Sequence, residues 1–145
     1  MTDQHTAIDG PVARDLLDAL VSFLPIFERP GYCFGVRGAD EYDQKLSTEA
    51  KAFIATVCEL RNHFYRSLPH GRDSPQWDTG RRIMFQDSEL LATTDLAVLC
   101  LALYWQIRTY DLARGGPGAL RWFEGEGFLP LLRHIKELCT RPAEK

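Results

Sequence analysis

Acid–base, nucleophilic or metal chemistry would have to come from a small set of side chains in this sequence. Glu59 and His63 stand four residues apart and His134 and Glu137 three apart, so each pair shares one face of a helix. Neither has the Glu-x-x-His order of di-iron bundles or the H-E-x-x-H order of zinc proteases, and both read as ordinary surface pairs. Ser47, Ser67, Ser74 and Ser88 sit in cap or turn contexts, none with the G-x-S-x-G setting of an activated nucleophile. Cys33, Cys58, Cys100 and Cys139 are scattered, with no C-x-x-C pair to seed a zinc knuckle or a redox dithiol. The last three fall among apolar residues at helical spacing, where a thiol packs as a small hydrophobe. Cys33, in "GYCFG", lies in a loop without an evident electropositive neighbour to activate it. No catalytic residue, cofactor or metal site is assigned.

Phosphate chemistry would have to use "LARGGPGALRWFEGEG", Leu112 to Gly127, the glycine-rich stretch of the chain. A dinucleotide fingerprint needs G-x-G-x-x-G after a strand. Here Gly116-Pro117-Gly118 is followed at the third site by Arg121, and the segment before it has helical periodicity. A Walker loop needs a Gly-Lys step, which is missing. The simpler reading is a helix junction. Gly115-Gly116 stops one helix, Pro117 opens a short one over residues 119–124, and Gly125 and Gly127, the latter left-handed, release the chain into the next.

The aromatic and basic residues are more suggestive. Trp77 and Asp78 precede the Arg81-Arg82 pair in a polar stretch, and Trp122 follows Arg121 in the glycine-bounded segment. Arg108 ends the most apolar helix. Tryptophan and arginine are over-represented at binding hot spots, so Trp77, Asp78, Arg81, Arg108, Arg121 and Trp122 are the candidate binding residues. A tryptophan in such a place equally well plugs a core.

Helices must carry these groups. Asp9 caps a first helix that Pro11 opens and that ends near Pro25, with Leu16, Leu17, Leu20, Val21 and Leu24 recurring on one face. Residues 30–46 lack a sustained period and read as a loop with a short extended piece. A second helix starts after Ser47, its apolar stripe of Phe53, Ile54, Val57, Cys58 and Phe64 broken only by Arg61. Residues 68–80 read as a polar loop, and "RRIMF" as either a strand or a helical turn. Thr93 or Thr94 caps the central helix, Leu96 to about Tyr110, whose least hydrophobic line is Ala102, Gln106 and Thr109. A last helix from about Phe128 to Cys139 turns Phe128, Leu131, Leu132, Ile135 and Leu138 inward.

The chain has 145 residues, 45% of them hydrophobic, enough for one core and too few for two ordinary domains. Its longest strongly apolar run, residues 96–107, falls short of the roughly 20 residues that cross a bilayer, and the start MTDQHTAIDG lacks a secretory pattern. A cytoplasmic location and reduced cysteines are expected. A net charge of −3 disfavours a nucleic-acid surface.

"FLPIF" (Phe23–Phe27), Phe34-Gly35, "TDLAVLCLALYWQIR" (Thr94–Arg108), "GALRWFEGEG" (Gly118–Gly127) and "FLPLLRHIKEL" (Phe128–Leu138) together resemble an uncharacterised family of small bacterial domains of unknown function. The likeness covers about two thirds of the chain and is strongest over residues 94–138. "TYDLARGGP" is longer than the segment that commonly joins those helices in the family, which usually carries an Arg-Phe pair and an acidic residue before the glycine. The resemblance implies a small helical domain and brings no activity with it.

The expectation is an all-α fold: a single domain over residues 1–145, an irregular bundle of four main helices plus one or two short ones. The function expected is non-catalytic binding of another protein, as a regulator or inhibitor of bacterial or phage origin. The alternative is a small-molecule-binding or enzymatic domain whose pocket lies between the Trp77 loop and residues 104–114.

Overall fold

Four long helices build the fold, each started by a local signal the sequence carries. The computed structural model describes residues 11–38, 44–68, 73–112 and 118–140. Helix α1, Pro11–Ser22, buries Ala13, Leu17 and Leu20 at helical spacing. It stops before Pro25, which takes the first turn of the short α2, Leu24–Phe27, where its missing N–H costs nothing. Two three-residue strands follow, β1 (Gly35–Arg37) and β2 (Gln44–Leu46), paired antiparallel with Gly35 opposite Leu46. They are the extended piece expected in that loop. A side chain at position 35 would collide with the Lys45 carbonyl and the Leu46 backbone, so the pairing needs glycine there.

Helix α3, Thr48–Ser67, is capped by Ser47, whose Oγ accepts from the Ala50 N–H at 3.1 Å. Its buried face holds Phe53, Ile54, Val57, Leu60 and Phe64. The next element corrects the expectation of a loop over residues 68–80. Ser74 accepts from the Trp77 N–H at 3.1 Å, Pro75 takes the first turn, and α4 runs Pro75–Ile83. "RRIMF" is thus the end of a helix and the turn after it. Gln76, Trp77, Gly80 and Ile83 point inward at i, i+1, i+4, i+7, a helical stripe with a single aliphatic residue. Helix α5, Asp87–Ala92, is short.

The central helix α6, Leu96–Thr109, is capped by Asp95 rather than by either threonine. Its carboxylate accepts from the N–H groups of Ala97 (3.0 Å) and Val98 (3.5 Å), and a charged oxygen suits the positive end of a helix. Thr93 instead accepts from the Asp95 N–H. Residues 96–103 and 106–107 are all buried. Ala102 and Gln106, expected on the polar line, are therefore interior. Gly80 accounts for Ala102: a Cβ there would lie 3.1 Å from the Ala102 nitrogen and the Val98 oxygen, so α4 crosses α6 almost backbone to backbone. The helix ends at Asp111, whose φ of 55° breaks the repeat. Gly115-Gly116, expected to form that stop, and Pro117, expected to open the next helix, lie outside the described residues, as does the Asp9 cap.

Helix α7, Ala119–Gly125, occupies the span expected of the short helix. The left-handed residue after it is Glu126 (φ 59°), not Gly127, which corrects the role expected for that glycine. Helix α8, Leu129–Thr140, buries Leu129, Leu131, Leu132 and Ile135, with Pro130 in its first turn and Leu138 half-buried. The long helices α1, α3, α6 and α8 are the four main ones expected. Four short helices accompany them among the described residues, against the one or two expected.

One hydrophobic cluster joins these elements. Helix α6 packs on α3, α4 and α8, and α1 packs on α3 and α8. Phe27, Phe34, Phe53, Phe123 and Phe128 meet ring to ring, Phe27 lying 5.2–6.1 Å from each of the others. This aromatic knot ties the hairpin and α7 to the bundle. The Arg37–Glu124 ion pair reinforces it from outside.

Candidate functional site

Three helices each contribute an arginine and an aromatic residue four apart to one face of the molecule. They are Arg61 and Tyr65 of α3, Trp77 and Arg81 of α4, and Tyr104 and Arg108 of α6, with Trp105 between them. A four-residue step returns a helix to the same side, so each pair faces the same way. The close α4–α6 approach at Gly80 then brings two of the three pairs together.

Trp77 forms the floor. It is 8% exposed, and its ring lies 5.5 Å from Trp105, 5.8 Å from Tyr65 and 6.3 Å from Tyr104. The Arg61 guanidinium is boxed by three of these rings, at 5.1 Å from Tyr65, 5.1 Å from Trp77 and 5.3 Å from Tyr104. Arg81 and Arg108 flank Trp105 at 5.8 and 5.5 Å. These distances lie within reach of cation–π attraction, about 0.5–2 kcal/mol for each contact. Asp78 lies 3.8 Å from Arg81. Among the described residues no carboxylate pairs with Arg61 or Arg108. Two buried donors here, Arg61 Nε and Trp105 Nε1, have no acceptor among the described residues.

Four of the six residues singled out from the sequence therefore come together: Trp77, Asp78, Arg81 and Arg108. Trp122 does not join them. It sits on another side of α6, donating from Nε1 to the Gln106 Oε1 at 3.2 Å and stacking on Phe128 at 4.8 Å, while Gln106 Nε2 donates to the Met84 carbonyl. Arg121 is exposed on α7. Arg61, Tyr65 and Trp105 were not foreseen. Arg61 did carry a signal, as the one charge interrupting the α3 stripe.

Between Trp77 and the described part of residues 104–114, where the alternative expectation puts a pocket, the Trp77 ring packs on Tyr104 and Trp105; residues 113 and 114 lie outside the described residues. What this face offers chemically is cationic and aromatic. Its guanidiniums and ring surfaces can receive carboxylates and planar groups.

The other candidates are structural. His134 Nε2 donates to the Thr93 carbonyl at 2.7 Å and its Nδ1 lies 4.0 Å from Glu137, tying α8 to the linker before α6. His63 lies against the Phe64 ring. All four cysteines are free. Burial pushes the Cys58, Cys100 and Cys139 thiols up, away from the thiolate a nucleophile needs. Cys33 is exposed and donates to the Gly35 carbonyl. Among the described residues no group of His, Cys, Asp and Glu is placed to hold a metal ion, and no helix is long and apolar enough to cross a membrane. Comparison with protein families, with curated proteins and with solved structures finds no match for this chain.

Proposed function

We propose that the chain is a non-catalytic protein-binding module, a regulator or inhibitor, that grips an acidic segment of its partner with the Arg81–Trp105–Arg108 face. The observation that carries this reading is the exposed pair of guanidiniums flanking one tryptophan. Arg81 has a side chain 62% exposed, Arg108 is exposed and lacks a carboxylate among the described residues, and the rings beneath are held by Trp77. Preorganised arginine and tryptophan are what hot spots are made of, since little side-chain entropy remains to be lost on docking. The half-buried Arg61, its guanidinium held among three rings, adds positive potential beside the face.

The test is affinity capture from a bacterial lysate with the wild-type chain and with a folded R81E/R108E variant. A protein retained by the wild type, released by salt and lost from the variant is the expected result. Equal retention by both chains, or no retained protein together with saturable binding of ATP, GTP or NAD in calorimetry, overturns the reading in favour of a small-molecule site.

A further inference from the structure

On another side of α6, the turn between α4 and α5, the end of α6 and the turn between α7 and α8 enclose a cleft of about 280 Å³. Its walls are aromatic. Phe85 and Tyr110 meet edge to face at 5.9 Å on the rim, 51% and 45% exposed, and Trp122 lies inside. Trp122 is fixed in place by its stack on Phe128 and its hydrogen bond to Gln106. A smaller cleft of about 120 Å³ adjoins it, lined by the apolar Leu90, Leu91, Pro130 and Leu131. The two share Asp87, Gln106 and Gly127.

Asp87 is the one charged residue in either lining. Among the described residues it has no hydrogen-bonding or ionic partner, whereas its neighbours Arg82 and Glu89 are paired with each other at 3.7 Å. It stands in the first turn of α5, a place that favours a carboxylate. Gln106 has both ends of its amide engaged, to Met84 and Trp122, and so leaves the carboxylate without competition from that side. Three of the five exposed large hydrophobic side chains among the described residues, Phe85, Leu91 and Tyr110, line these clefts. Such a patch marks a contact surface.

A carboxylate among aromatic faces selects a cation, and an apolar trough leading from it selects a cation on an alkyl stem. We propose that this double cleft receives a lysine side chain of a partner protein, the stem lying along Leu91 and Pro130 and the ammonium at Asp87 against Phe85, Tyr110 and Trp122. A compact ammonium matches a single carboxylate, whereas a guanidinium asks for a bidentate partner. Each cleft is smaller than the roughly 300–1,000 Å³ of sites that enclose a drug-sized ligand, and suits one inserted side chain. The site shares no residue with the arginine face and goes beyond the function proposed from it.

The test follows the Trp122 indole N–H and the Gln106 side-chain amide by NMR while Nα-acetyl-lysine methylamide is added to the whole chain. Saturable shifts are expected. They should weaken roughly two- to fivefold in both D87N and F85A, the scale of losing one exposed charge contact or one ring face. The uncharged norleucine analogue should not bind, and R81E/R108E should bind the lysine probe as the wild type does. Absence of a saturable shift, equal binding of norleucine, or undiminished binding in folded D87N overturns the proposal. Free tetramethylammonium serves as the control for source. If it binds as tightly as the lysine probe, the trough contributes nothing and a lysine side chain is not the ligand.

Discussion

Glu126 holds its backbone at φ 59°, a conformation that costs a residue with a side chain about 1–2 kcal/mol. Glycine escapes that cost but loses more chain entropy on folding, so Glu126→Gly should stabilise by only about 0.5 kcal/mol. Its neighbour Gly127 lies outside the left-handed region, with open space where a Cβ would go. Gly127→Ala should therefore be neutral or stabilising by up to about 1 kcal/mol. Urea denaturation of both variants checks the pair, and a loss above about 1 kcal/mol for Gly127→Ala would contradict the assignment. The sequence pointed to glycine because glycine is the usual left-handed residue after a helix; nothing in "EGEG" tells which position takes the turn.

Tyr32 supplies a pH-dependent contact at the same scale. Its hydroxyl donates to Glu49 at 2.8 Å, which holds that carboxyl below its ordinary range, while burial together with the carboxylate pushes the phenol up. A lowered carboxyl stabilises the fold above its unfolded pKa, and that share is lost as pH falls through the folded value; a raised phenol stabilises below 10.0, and its share is lost as pH rises through its folded value. The wild type should exceed Tyr32→Phe in stability near neutral pH, and the gap should close in acid. A gap unchanged down to about pH 3 would show that the Glu49 carboxylate is not the acceptor.

At the scale of elements, α1, α3 and α8 were legible because each carries an apolar stripe of period 3.6, and α6 because its apolar run is too long for a strand. Helix α4 was not, since its inward line of Gln76, Trp77, Gly80 and Ile83 has no apolar run. Ser74-Pro75, a cap followed by a first-turn proline, was the signal available. Trp77, Asp78 and Arg81 of the arginine face ride on that helix, so misreading it as a loop separated residues that share a side. Gly80 fixes its position. Alanine would favour the helix by up to about 1 kcal/mol, yet its methyl would meet backbone atoms of α6, which cannot swing aside. Gly80→Ala should cost about 1–3 kcal/mol. Leu99, wholly buried in α6, should cost about 2–5 kcal/mol when cut to alanine. Chemical denaturation reads both, and a loss under about 1 kcal/mol for Leu99→Ala would place the core elsewhere.

The whole molecule is a shell of helices around α6. α3 and α4 cover it from one part of the chain and α8 from another, while α8 also reaches back to α1, α2 and α5. The broad plan of an all-helical bundle with a central apolar helix was readable from the sequence. The sidedness of that helix was not, because a segment apolar all round gives no hint of which neighbour lies where. The arginine face and the lysine cleft both depend on it: Tyr104, Trp105 and Arg108 turn one way, Gln106 another.

This enclosure has a consequence on the ribosome. Helix α6 is translated before α8, so its run of apolar residues leaves the exit tunnel while part of its cover is still unmade. The earlier helices cannot complete the core alone, because α1 also packs against α8. The nascent chain therefore carries an exposed greasy helix until the last segment emerges, and during that interval it is a client for holding chaperones and prone to self-association. Slow codons between the sequences for α6 and α8 would lengthen the hazard, and rapid translation through that stretch would shorten it.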